Sequence, residues 1–124
     1  MPVRSLHSSV FIWPSQAEVK AALQTWLPEA ARRHPELLRL GLFGSFARGD
    51  WGVGSDLDLV AIVESSDKPF ERRAVDWDLN ALPGPVELLV YTRAEWQRME
   101  QEGGRFAATL AEEVIWSFTR AAPS

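Results

Sequence analysis

Two stretches of this chain bring together the residue types that phosphate chemistry requires. Gly44-Ser45-Phe46-Ala47-Arg48-Gly49 is a Gly-Ser turn followed by an arginine, and Ser55-Asp56-Leu57-Asp58-Leu59-Val60 sets two carboxylates one residue apart. A glycine turn lets backbone N–H groups come close to a phosphate, and a serine hydroxyl adds a further hydrogen bond. Paired Asp oxygens are hard donors of the kind that suit Mg2+ or Mn2+; Mg2+ commonly takes one or two carboxylates and completes its shell with substrate phosphates. A calcium loop does not fit, because Leu59, Val60 and Ala61 stand where ligands and a glycine are needed. A Walker-type loop does not fit either, since no Gly-Lys-Ser/Thr follows the turn.

The elements around these residues determine whether they meet. Ser15-Gln16-Ala17-Glu18 is a capping box, and Val19, Leu23, Trp26 and Leu27 follow at helical spacing, which predicts a helix over 16–33 that ends before Pro35. Residues 37–43 read as a buried strand broken by Gly44 and Ser45, which begin a short helical turn through Arg48. Asp50 to Gly54 is a loop, and Asp56 to Val63 a second strand. A helix is expected from Asp67, as N-cap, with Pro69 near its first position. It would carry Phe70, Ala74 and Trp77 on one face and be stopped by Pro83-Gly84-Pro85. Val86 to Tyr91 reads as a third strand. Thr92 and Glu95 form a second capping box, Gly103-Gly104 breaks the pattern, 105–113 reads as a last helix and 114–118 as a short final strand. Residues 1–14 are expected to be irregular, with Val10 to Trp13 as an apolar patch, and 119–124 to be a flexible tail.

Strand parity then places the carboxylates. Side chains two apart on a strand share a face, so Asp56 and Asp58 project together, with apolar Val60 and Ile62 continuing that face. The connection from Gly44 to Ser55 is short for a parallel crossover, so an antiparallel pairing of the first two strands is expected, which puts the Gly-Ser turn at the Asp edge. The second and third strands read as a right-handed parallel crossover. Glu87 then starts the third strand beside the Asp pair. Such a site fits nucleotidyl transfer: Gly44 and Ser45 hold the triphosphate, two metal ions on Asp56 and Asp58 stabilise the attacking and leaving oxygens, and Glu87 shares a metal and helps deprotonate an acceptor hydroxyl.

Composition sets the outer bounds. The chain has 124 residues, a length for one domain over 1–124, and is 46% hydrophobic, enough for a core. Thirteen basic and seventeen acidic residues give a net charge of −4, which argues against a general nucleic-acid-binding surface. The absence of cysteine removes disulfides, thiolate nucleophiles and zinc–thiolate sites. No signal peptide or membrane span is evident, so a cytoplasmic protein is expected.

Taken singly, these residues say less. Gly44-Ser45 alone is a plain strand-to-helix turn, and the two Asp residues alone are solvated strand-end carboxylates; only the combination favours a site. Arg48 is a candidate phosphate or partner contact, or else a solvated helix-surface arginine. Glu87 is divided between metal ligand and ordinary polar strand residue. His7 and His34 lack ligand-like spacing. Trp26, Trp77, Trp96 and Trp116 read as core or interface residues, Trp51 as loop packing ahead of a base-stacking role, and Arg72-Arg73 as a solvated helix face.

Gly-Ser-x-Ala-Arg-Gly followed by Ser-Asp-x-Asp-Leu resembles the signature of the minimal nucleotidyltransferases of the DNA polymerase beta superfamily, over roughly residues 16–118. The resemblance implies an α/β (α+β) nucleotidyltransferase fold with a small mixed sheet and helices mainly on one face. It also implies triphosphate binding by Gly44 and Ser45 with help from Ser55, and metal binding by Asp56 and Asp58. At the third carboxylate position the family usually has Asp, where this chain has Glu87. Small members of the family often accompany a helical HEPN-type protein as a toxin–antitoxin pair, and some transfer AMP to that partner. The resemblance therefore implies an NTP substrate, ATP being the expected one, with Mg2+ and a HEPN-type partner. A partner-binding module that keeps nucleotide binding but has weak or no catalysis is the alternative.

Overall fold

The computed structural model describes residues 13–120. His7, most of the apolar patch at Val10 to Trp13, and the end of the expected tail lie outside the described residues. The elements run α1 (Gln16–Arg33), β1 (Leu37–Phe43), α2 (Gly44–Arg48), β2 (Leu57–Val63), a 3-10 segment (Phe70–Asp76), β3 (Val86–Thr92), α3 (Arg93–Glu102), α4 (Arg105–Glu113) and β4 (Ile115–Thr119).

Local chemistry explains where these elements begin and end. Ser15 Oγ accepts from Glu18 N–H at 3.1 Å while Glu18 Oε1 accepts from Ser15 N–H at 2.8 Å, so the capping box starts α1 as the sequence predicts. Thr92 and Glu95 do the same for α3. Orphan carbonyls at the end of α1 find a donor from the far end of the chain: Arg120 donates to Ala31 O at 3.0 Å and, through Nε, to Leu37 O at 2.7 Å. The expected tail is therefore corrected at its start, because Thr119 pairs with Arg39 in β4 and Arg120 is tied to the fold.

The sheet has the order β3-β2-β1-β4. β1 pairs antiparallel with β2, and β2 pairs parallel with β3, as connection lengths predict; β4 pairs antiparallel with the other side of β1. Gly41 lets β4 come close at a register shift, since a Cβ there would lie 2.5 Å from Val114 Cγ2. β2 is central, and its side chains alternate between two cores. Leu57, Leu59, Ala61 and Val63 face the larger core with Val19, Leu23 and Trp26 of α1. Val60 and Ile62 face a smaller one with Trp96 of α3 and Leu110 of α4. The larger core thus lies on the α1 face, while α3 and α4 cover the opposite face; the helices are not confined to one side.

Two expectations about the crossover are corrected. The segment after β2 is 3-10 rather than α-helical, starts at Phe70 with Pro69 as N-cap rather than Asp67, and stops at Asp76 well before Pro83. Pro69 fixes the entry, and Trp77 leaves the segment to pack against Trp26 and stack on His34 at 3.7 Å. Arg73 is not solvated: it is 8% exposed. Its guanidinium donates to Glu95 Oε1 at 2.6 Å and Oε2 at 3.0 Å, and to the Lys68 and Val90 carbonyls. This bidentate pair fastens the crossover to the N-terminus of α3. The Arg73 guanidinium, foremost, holds the Glu95 carboxyl down at about 2.

Arg73→Met keeps the buried volume and removes the pair, and is expected to lower stability by about 1–3 kcal/mol. Because the Glu95 carboxyl falls from 4.5 to about 2 on folding, its contribution is present above the higher value and lost as pH falls toward the lower one. The melting-temperature gap between wild type and variant should therefore narrow on acidification through that window.

Candidate nucleotide and metal site

The last residue of β1, Phe43, pairs with Asp58 of β2, and Asp58 in turn lies level with Glu87 of β3. This register brings three features to one edge of the sheet. The chain turns away immediately after Phe43, through Gly44 at φ +74°, and enters α2. A Cβ at Gly44 would sit 2.1 Å from Asp58 Oδ2, so only glycine lets the turn close over this carboxylate. Arg48 ends α2, and Gly49 at φ +83° terminates it.

Each expected site residue has a definite place. Ser45 lies in the first turn of α2, half-buried. Asp56 is exposed and sits just before β2, which begins at Leu57 rather than Asp56. Asp58 is half-buried, on the face that Val60 and Ile62 continue into the smaller core. Glu87 is exposed on the neighbouring strand. Ser55 closes the loop ahead of the Asp pair: its Oγ accepts from Gly52 N–H at 3.1 Å, and its own N–H donates to Gly52 O at 3.0 Å. Trp51 packs the loop, donating to Pro14 O at 2.9 Å and meeting Phe46 edge-on at 5.5 Å.

Arg48 is held by carboxylates. Its Nε donates to Asp50 Oδ2 and its Nη1 to Glu113 Oε2, each at 3.3 Å. Glu113, the last residue of α4, was not singled out from the sequence. Its other oxygen, Oε1, accepts from Gly44 N–H at 3.1 Å. Nothing in the local pattern around Glu113 signals this, because the contact spans 69 positions of chain.

The electrostatics converge on Asp58. Burial, then the charges of Glu87 and Asp56, push its carboxyl from 3.8 up to about 6; Glu113 adds to this, and Arg48 opposes it. Among the described residues no three His, Asp or Glu side chains stand as a group able to hold a metal ion. The donors are all hard oxygens around a centre whose negative charge Arg48 only partly offsets. They suit a divalent cation shared with phosphate oxygens better than an all-protein cage. A groove of about 800 Å3 between α1 and β1, reaching Leu42 and Phe46, is lined by none of these carboxylates.

Two substitutions test this geometry. Folded Asp58 holds its proton more tightly than the unfolded chain, so stability falls as pH rises from 3.8 to about 6 and stays lower above. Asp58→Asn should melt higher than wild type at neutral pH, by on the order of 1 kcal/mol after solvent screening, with the gain vanishing in acid. Gly44→Ala should lose at least ~1 kcal/mol of stability from the left-handed backbone alone, more from the collision with Asp58, and shift Asp58 resonances in carboxylate NMR spectra.

Comparison with known proteins bears on the fold and the family. No match is found among proteins of curated function. A crystal structure of a proposed nucleotidyltransferase from Sulfolobus solfataricus shares the fold at a TM-score of 0.61, with 21% identity over 85% of this chain and 84% of that one. The family model for the nucleotidyltransferase domain matches residues 24–114, a span that holds the Gly44 turn, Asp56, Asp58, Glu87 and Glu113. The chain therefore belongs to the nucleotidyltransferase domain family.

Proposed function

We propose that this nucleotidyltransferase-domain protein transfers a nucleoside monophosphate, AMP from ATP, to a hydroxyl acceptor in a metal-dependent reaction, with release of pyrophosphate. The observation that carries the reading is the closure of the Gly44 turn over Asp58, at the edge where Asp56 and Glu87 also stand.

In this reading Gly44 N–H and the Ser45 hydroxyl bind phosphate oxygens, and Arg48 supplies the positive charge beside them. Asp56 and Asp58, with Glu87, would hold Mg2+, Mn2+ being the other candidate. The bound ion would supply charge stabilisation at the attacking and leaving oxygens. Glu87, exposed at the edge, accepts the acceptor hydroxyl's proton. The acceptor oxygen bonds to the α-phosphorus as the α–β bridging bond breaks, and the electron pair leaves with pyrophosphate. Burial and neighbouring charge keep Asp58 close to neutral titration, so its readiness as an anion is greatest above pH 6.

The resemblance of the Gly44-to-Val60 stretch to the minimal nucleotidyltransferases supports a place in that subfamily. It also supports a HEPN-type protein as acceptor and an antitoxin role in the cytoplasm. No helix among the described residues is long and apolar enough to cross a membrane. A second reading, a partner-neutralising module that binds nucleotide without turnover, is favoured by one observation: exposed Glu87 stands where the family usually has Asp.

One assay separates the two. The protein is incubated with labelled ATP, Mg2+ and the product of the adjacent gene. Label on the partner, lost by at least about a hundredfold in Asp56→Asn and Asp58→Asn variants that remain folded, is the expected result. Unchanged transfer in both variants overturns the mechanism, and a tight unlabelled complex establishes the module.

A further inference from the structure

Glu113 stands outside the roles described above, yet it takes up the two best-placed donors of the site. Its carboxylate bridges Gly44 N–H, at 3.1 Å through Oε1, and Arg48 Nη1, at 3.3 Å through Oε2. A backbone N–H in a glycine turn and a guanidinium on the following helical turn are the donors a phosphate oxygen pair would use. A carboxylate presents the same pattern, two charged oxygens on one central atom. Glu113 also adds to the negative field on Asp58, so it faces the same cluster. Its side chain keeps 24% of its surface exposed, which leaves it room to swing outward.

We infer that Glu113 is an internal stand-in for a substrate phosphate: it occupies the Gly44 N–H and Arg48 donors in the nucleotide-free protein and must be displaced when a triphosphate binds. This rests on the reading of the Gly44 turn as the triphosphate site. Glu113 and a phosphate cannot accept the same N–H in line at once, and the two anions repel at this range. Glu113 thus sets the affinity of the site, rejecting weakly charged anions that cannot outcompete it. It also keeps the turn's amide satisfied while the site is empty. Displacement frees the end of α4, whose next residues enter edge strand β4.

The test is equilibrium binding, with turnover removed. Wild type, Glu113→Gln and Glu113→Ala are titrated calorimetrically with a non-hydrolysable ATP analogue and with inorganic triphosphate, each with and without Mg2+. Amide NMR follows Gly44 throughout. Glu113→Gln retains an oxygen acceptor for Gly44 N–H and loses only the charge, so it guards against loss of folding in the alanine variant. The expected result is binding of both ligands about tenfold tighter in Glu113→Gln than in wild type. The Gly44 amide should shift on ligand addition in wild type and variant alike. Equal affinity in wild type and Glu113→Gln overturns the inference and leaves the nucleotide site standing. Weaker binding in the variant also overturns it, because Glu113 then assists the ligand. If neither protein binds triphosphate, the nucleotide reading and the inference fall together.

Discussion

The contact between the backbone of Gly44 and the carboxylate of Asp58 is the constraint around which this molecule is arranged. It follows from a register: Phe43 lies opposite Asp58, so the chain leaving β1 must turn at the level of the first carboxylate in β2. With 2.1 Å between a notional Cβ and Asp58 Oδ2, no side chain fits there, and a left-handed backbone is required besides. The central strand cannot slip to relieve this. A shift of one residue would send Leu57, Leu59, Ala61 and Val63 out of the larger core and move Asp58 to the opposite face. Two buried cores therefore fix the position of one polar atom.

That position is electrically costly. Asp58 continues the apolar row of Val60 and Ile62, so it is partly desolvated, and the charges of Glu87 and Asp56 add to the cost of ionising it. Arg48 opposes these charges, and it is already shared between Asp50 and Glu113. A fold selected for stability alone would place an amide or an apolar residue at 58. Contrast Arg73 and Glu95, where a buried cation is matched by a bidentate carboxylate and two carbonyl oxygens, and the carboxyl is held well below its usual range. The two carboxylates move in opposite directions because the Arg73 hydrogen bonds outweigh desolvation at Glu95, whereas burial and then neighbouring negative charge outweigh Arg48 at Asp58. The excess negative charge at Asp58 is what the proposed binding of a cation at this edge rests on.

Local signals in the sequence reached the frame of this site but not its closure. Both capping boxes, the ends of α1 and α4, and the pairing sense of β1, β2 and β3 follow from spacing, because capping and strand alternation act within a few residues. Gly44, Asp58 and Glu87 take the places that turn and strand parity predict, while Asp56 falls just ahead of β2, where parity no longer fixes it. Glu113 and Arg73 were not, since each acts on a partner distant in the chain and sits in a pattern that reads as ordinary helix surface. The 3-10 form of the crossover is not legible locally, because Pro69 signals the start of a helix without specifying its type. Burial of Trp77 against Trp26 then draws the chain out of helical geometry after a few residues.

Glu87 reaches further from the sheet than the Asp that the resemblance to the minimal nucleotidyltransferases implies at this position. Because Asp58 and Glu87 are level on neighbouring parallel strands, their Cβ atoms rise from the sheet side by side, about 4.8 Å apart. One further methylene carries the Glu87 carboxylate about 1.5 Å beyond the height an Asp would reach. A cation shared by the two strands would then stand off the sheet on the Glu87 side, or Glu87 must fold back over Asp58, at the entropy cost of its extra rotamers. The strand edge permits the fold-back, because Glu87 is exposed and nothing packed above it is displaced. Asp58, half-buried and fixed under Gly44, cannot make the compensating move. On the proposed reading, any ligand at this edge would be met by movement of Glu87 and Glu113, the exposed and part-exposed carboxylates, rather than of Asp58 beneath the Gly44 turn.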